Sequence, residues 1–246
     1  MRSRLLALAA VGAIIVPVIA LRRESRPPVP RVLLWAWERP VDLRQLPTGA
    51  GVAVLAQTIT VSGDAHVTAP RRHPLQVAPN TYVIAVTRIE APGAPPARRE
   101  AIAALADDIA RTRQLPQVRE VQIDFDARAS QRSMYRQLLQ DVRAALPPAM
   151  PLSMTALASW CLDDNWLDEL PVDEAVPMLF RMGPSESAYR REFATRRTAP
   201  ACRGALGVSL DEGTGITLRR GTRLYVFNPS PWTAAAVRAA VEDLPR

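Results

Sequence analysis

The chain has 246 residues, 48% hydrophobic and 22% charged, a balance that fills a sizeable core and excludes intrinsic disorder. Its formal charge is +7, but residues 1–31 hold six Arg against one acid, and the remaining 25 basic and 23 acidic residues leave only +2. A nucleic-acid binder needs a dense basic face on its folded domain, so no nucleic-acid partner is expected, and the absence of Lys excludes Schiff-base chemistry and a P-loop.

Arg2 and Arg4 precede residues 5–21, seventeen apolar or small residues without a charge, and Arg22 and Arg23 follow. This pattern predicts a signal peptide or an N-terminal membrane anchor over residues 1–24. The protein is then exported, either periplasmic or held at the inner membrane through residues 5–21 if the segment is not cleaved. Val18-Ile19-Ala20 matches a small-x-small cleavage site loosely, and basic residues on both flanks blur the positive-inside signal. Residues 25–31, with Pro27, Pro28 and Pro30, read as an extended spacer, and residues 32–246 as one domain. Outside the cytoplasm Cys161 and Cys202 either pair as a disulfide or stay as buried thiols.

Residues 32–37 form a continuous apolar run between Pro30 and Glu38-Arg39-Pro40, the mark of a strand buried on both faces. Similar runs follow at 51–61, 81–89, 120–125, 152–160, 175–181, 206–210 and 223–227, eight in all. Between them the period changes to that of helices. Ile102, Leu105 and Ile109 stripe a helix over 97–113, and Tyr135, Leu138, Leu139, Val142 and Leu146 stripe another that Ser130 caps. Shorter helical signals occupy 163–170 and 184–195, with Pro184 at a first helical position, and Val237, Val241 and Leu244 stripe residues 232–244.

Strands alternating with helices imply an α/β fold with a parallel sheet, and eight strands favour a (β/α)8 TIM-like barrel over an open doubly wound sheet. The barrel is expected to be irregular or incomplete, with no helix after strands two and seven. Residues 62–80 read as a polar loop or hairpin on one rim, with His66 and His73 solvated. The connection 211–223 is too short for a regular helix, and residues 216–218 fit a hairpin arm.

In such a barrel the active site lies at the carboxyl ends of the strands. On the fourth strand the period of two aims Gln122, Asp124 and Asp126 to one side and Val121, Ile123 and Phe125 to the other. If the apolar set packs on helices, the polar set enters the barrel. Its carboxyl groups, about 7 Å apart at Cα, are close enough for one to raise the other's pKa. Arg181, ending the sixth strand, is the expected partner for Asp124 and Asp126. Hydrolysis of a glycosidic bond needs an acid and a base or nucleophile, and Glu38 and Glu212, at other strand ends, are the candidates for the second carboxyl group. Trp35, Trp37 and Trp160 offer aromatic faces for sugar rings, with core packing as their alternative role. Gln57, Gln122, Arg181, Asp211 and Asn228 complete the expected substrate contacts. With two His, two Cys and no zinc-type spacing, no metal site and no cofactor are expected.

Residues 34–40 (LWAWERP), 121–127 (VQIDFDA), 155–161 (TALASWC) and 172–183 (VDEAVPMLFRMG) together resemble a bacterial family of exported proteins known as a domain of unknown function. The resemblance spans most of residues 31–232 and implies a glycoside-hydrolase-like barrel without an established activity. The fourth strand alone resembles chitinase-like barrels, which carry a D-x-D-x-E run whose Glu is the general acid. Asp124 and Asp126 match it, but Arg128 stands at the position of that Glu and cannot donate a proton at neutral pH.

The expected function is therefore that of a glycoside-hydrolase-like envelope protein acting on a glycan through Asp124, Asp126 and Glu38 or Glu212. The rival is a non-catalytic carbohydrate-binding or scaffold protein on the same barrel. A third reading, a hydrolase of another ester or amide bond dependent on a divalent cation, uses the same carboxylates as oxygen ligands.

Overall fold

Each apolar run of the sequence becomes a strand in the structure, a computed structural model that describes residues 29–93 and 95–244. The expected leader over 1–24, and the spacer up to residue 28, lie outside the described residues. In chain order β1 (Val32–Ala36) and β2 (Val41–Leu43) precede the long β3 (Ala50–Ser62), then β4 (Ala65–Pro70), β5 (Leu75–Val77) and β6 (Tyr82–Glu90). Helix α1 (Arg99–Arg111) leads to β7 (Val118–Asp124), α2 (Arg132–Ala145) to β8 (Leu152–Leu157), and the short α3 (Ala158–Leu162) to β9 (Glu174–Met178). After α4 (Glu186–Thr195) come β10 (Ala205–Ser209), β11 (Arg223–Phe227) and α5 (Ala234–Arg238).

Eight of these strands lie parallel in the order β1, β3, β6, β7, β8, β9, β10, β11, and β11 pairs back onto β1. The sheet is thus a closed (β/α)8 barrel. Its outer face packs Val52, Val121 and Ile123 against Ile102, Leu105 and Ile109 of α1 and Leu138 and Leu139 of α2. Each such side chain contributes about 1.5–3 kcal/mol when fully buried, which is why the two-residue and 3.6-residue periods meet on this surface. A separate cluster fills the lumen with Leu33, Trp35, Ile84, Val176 and Tyr225.

Helices are missing where expected. After β3 the chain turns at Gly63, whose φ of +57° favours glycine, and β4 pairs antiparallel with β3 as a hairpin on the rim. Of the two His, His73 is an exposed loop residue as expected, 2.7 Å from Glu38, whereas His66 lies on β4, largely buried and 3.0 Å from Asp108 of α1. The connection after β10 carries no helix either, and residues 216–218 form no strand.

Two local expectations fail. Residues 163–170 are not helical: the Asp164 carboxylate accepts from the Trp166 backbone N–H at 3.1 Å, a local bond that competes with helix formation. The helical turn falls one step earlier, at α3, and a disulfide from Cys161 to Cys202 ties it to the segment before β10. Ser130 does not cap α2 but lies in a 3-10 turn, where the Gln131 side chain accepts from the Arg128 N–H at 2.9 Å. Among the described residues no helix is long and apolar enough to cross a membrane.

Candidate functional site

At the carboxyl ends of the barrel strands the lumen opens into a cleft of about 680 Å³. Strand β7 aims Gln122 and Asp124 inward, while Val121, Ile123 and Phe125 join the outer core, as the period of two requires. Asp124 is 3% exposed, and both of its oxygens have partners. Arg88 Nη1 lies 2.8 Å from Oδ2, and Thr155 Oγ1 donates to Oδ1 at 2.7 Å. The ion-pair partner is Arg88 rather than Arg181, because β6 adjoins β7 and its register sets Arg88 directly beside Asp124. Charge-assisted bonds of this kind offset the cost of burying a carboxylate.

Asp126 follows at the rim of the same cleft. It is exposed, yet neighbouring protein partly desolvates it. It makes no hydrogen bond or ion pair with another described residue. Lost hydration, then the neighbouring Asp124 charge, raise its pKa, with Arg88 opposing. The outcome is a carboxyl group that keeps its proton to higher pH than an ordinary Asp.

Opposite this polar edge stand aromatic side chains. Phe180 and Phe227 are stacked with ring centroids 5.5 Å apart and planes 10° from parallel, and Trp37 meets Phe227 edge-on at 6.5 Å. Trp35 is buried at the floor, 6.1 Å from Phe180. A chain of hydrogen bonds fixes its indole. Trp35 Nε1 donates to Gln122 Oε1 at 3.0 Å, Gln122 Nε2 donates to Ser153 Oγ at 3.2 Å, and Ser153 Oγ donates to Glu120 Oε1 at 2.5 Å. Because an indole N–H only donates, every link runs in one direction towards Glu120. Glu120 also accepts from Tyr82 at 3.1 Å, and burial, then the Glu174 charge, push its pKa up to about 7. Glu174 in turn is bound by Arg223 and accepts from the Tyr225 hydroxyl at 2.9 Å.

Other expected site residues fall elsewhere. Glu38 does not line the cleft; it accepts from the backbone N–H groups of Arg72 and His73 at 3.1 and 3.0 Å. Glu212 and Asp211 are not presented to the cleft either, since both bind Arg181, at 2.7 and 2.8 Å. Arg181 lines the cleft in a left-handed conformation, φ +56°, with its charge matched by those two acids. Gln57 faces outward. A bulge at Ala56 switches the alternation of β3, and Gln57 Nε2 donates to Thr87 Oγ1 and the Asp108 carbonyl. Trp160 is 2% exposed in the outer core, because β8 ends at Leu157 and the next turn carries the indole behind the barrel. Asn228 shapes a turn through the Ser230 N–H and the Pro231 carbonyl. Arg128 also turns aside, donating to the carbonyls of Ala91 and Pro92.

The structure adds Arg88, Thr155, Phe180 and Phe227 to the site. Arg88 left a trace in the sequence as the lone charge inside the apolar run 81–89. Among the described residues no group of three or more His, Cys, Asp and Glu could hold a metal ion.

Residues 79–177, from just before β6 to within β9, match a family described as "Domain of unknown function (DUF3142)", a stretch that includes Asp124 and Asp126. No curated protein matches the chain. Among solved structures it is similar to a protein from Streptomyces coelicolor inferred to be chitinase A, with a TM-score of 0.57 and 11% identity over 87% of this chain and 97% of that one. At that identity the likeness is one of fold: the chain shares the (β/α)8 barrel of that protein.

Proposed function

We propose that the cleft takes a glycan. The observation that carries this reading is the pairing of a Trp37–Phe227–Phe180 wall with the Asp126 and Arg88–Asp124 edge across one open cleft. Flat aromatic faces suit the apolar faces of sugar rings, and a free carboxyl beside a guanidinium suits hydroxyl and amide groups. The chitinase description of the fold neighbour supports the same ligand class. The test is calorimetric titration with a panel of β-linked glucose and N-acetylglucosamine oligosaccharides. Binding should weaken by about tenfold, roughly 1.4 kcal/mol, in Trp37→Ala. A panel that binds nowhere, or binds equally in the variant, refutes it.

Hydrolysis is the second reading, favoured by one observation: Asp126 is unpaired and its pKa is raised, the condition of a proton donor. Asp124, held by Arg88 and Thr155, would orient it or the substrate. Among the described residues no second free carboxyl lines the cleft, since Glu38 and Glu212 are engaged elsewhere; on an N-acetylglucosamine chain the 2-acetamido oxygen would then attack C1 while Asp126 protonates the departing glycosidic oxygen, and water would open the resulting oxazoline. Release of reducing ends that Asp126→Asn abolishes, while oligosaccharide affinity falls by no more than about tenfold, supports turnover. Affinity without product leaves a binding protein.

We place the barrel outside the cytoplasm, exported or held at the inner membrane by residues 5–21. The Cys161–Cys202 disulfide supports this location.

A further inference from the structure

We propose that the glycan site continues past Asp126 into a second depression, so that the protein takes an internal stretch of a polysaccharide rather than its end. This rests on the glycan reading above. A depression of about 540 Å³ lies where the chain leaves β6 and β7, with Thr60, Arg88, Glu90, Asp126 and Arg128 among its walls. Arg88 and Asp126 also line the aromatic cleft, so the two spaces adjoin across these residues. Asp126 stands at a junction and not at a closed end.

The halves differ in chemistry. The first offers the stacked Phe180 and Phe227 and the Trp37 edge. The second exposes no aromatic ring, since Phe125, its one aromatic lining residue, is buried. It offers instead the Thr60 hydroxyl, the Glu90 carboxylate paired with Arg88 Nε at 3.3 Å, and the guanidinium of Arg128. Arg128 Nη2 donates to the Ala91 and Pro92 carbonyls at 2.9 and 2.7 Å, which ties the far wall to the segment after β6. A sugar chain has both faces of this chemistry: apolar ring faces for the first half and a fringe of hydroxyls for the second. Each space falls in the range of about 300–1,000 Å³ that accommodates a drug-sized ligand, so the two in line exceed a short oligosaccharide. Recognition of a chain end requires a barrier beyond the central carboxyl, and the second depression occupies that place.

The test is a length series of β-1,4-linked N-acetylglucosamine and glucose oligomers, from disaccharide to octasaccharide, titrated into the full chain. Affinity should keep rising beyond the trisaccharide, by at least about tenfold in total. Thr60→Trp, which fills the second depression from an exposed strand position, should remove that increment and leave the disaccharide unaffected. Glu90→Ala serves in its place if Thr60→Trp fails to fold, with a partial loss for long ligands alone. Affinity that levels off at or before the trisaccharide overturns the proposal while the glycan reading stands, as does an equal loss for short and long ligands. No binding by any member overturns both.

Discussion

Replacing Glu120 by Gln should flatten the pH dependence of stability between about pH 5 and pH 8. Glu120 is 2% exposed beneath Trp35, and its pKa is pushed from 4.5 to about 7, first by burial and then by the Glu174 charge. Between those values the folded chain holds a proton that the unfolded chain has released. The folded state therefore binds more protons, and stability falls as pH rises from the unfolded value through the folded one. The 4.5-to-7 interval, at about 1.36 kcal/mol per pH unit, corresponds to roughly 3 kcal/mol lost across it. Glu174, whose pKa burial also raises, acts in the same sense and remains in the variant. Gln keeps the geometry, since its amide oxygen accepts from Ser153 and its amide nitrogen donates to the Tyr82 oxygen. Urea unfolding of both proteins at the two pH values gives the comparison. The wild type should lose about 3 kcal/mol more than Glu120→Gln on going to the higher pH. Parallel losses in the two proteins refute the argument, because they mean that Glu120 is ionised throughout or is open to water.

Arg88→Leu leaves Asp124 with Thr155 alone. Loss of one partner of a buried pair costs about 3–5 kcal/mol. Because the Arg88 side chain is 40% exposed, solvent screening reduces this to about 2 kcal/mol, measured as a fall in unfolding free energy that Arg88→Leu with Asp124→Asn partly restores. In Gly207→Ala the new Cβ would stand 2.9 Å from Trp35 Cη2, so the indole must move. About 1–3 kcal/mol of destabilisation should accompany a change in near-ultraviolet circular dichroism, and an unchanged spectrum contradicts the packing described. The Cys161–Cys202 bridge spans 41 residues, and its removal in Cys161→Ser with Cys202→Ser should cost about 4 kcal/mol in chemical unfolding. Insensitivity of the wild type to reductant would count against the bridge.

The alternation of apolar runs with helical stripes sufficed for the barrel, because burial on both faces leaves a parallel strand no polar positions and its crossover helix one apolar stripe. Asp124 and Asp126 were legible for the opposite reason: carboxyl groups at strand period inside such a run need an explanation. Gln57 was misplaced because a bulge at Ala56 switches the face of every later residue of β3, and one extra residue leaves no mark in a run of small and apolar side chains. Trp160 was misplaced because the strand stops at Leu157, and an apolar run does not mark where extended backbone becomes a helical turn. Strand existence, strand order around the barrel and the inward face of β7 thus belong to the sequence, whose periods are local properties of the chain. The choice of Arg88 as the partner of Asp124, the assembly of Phe180 with Phe227, and the withdrawal of Glu38 and Glu212 from the cleft were decided by tertiary structure. Register between neighbouring strands and the directions of loops set those distances, and both arise from contacts between residues far apart in the chain.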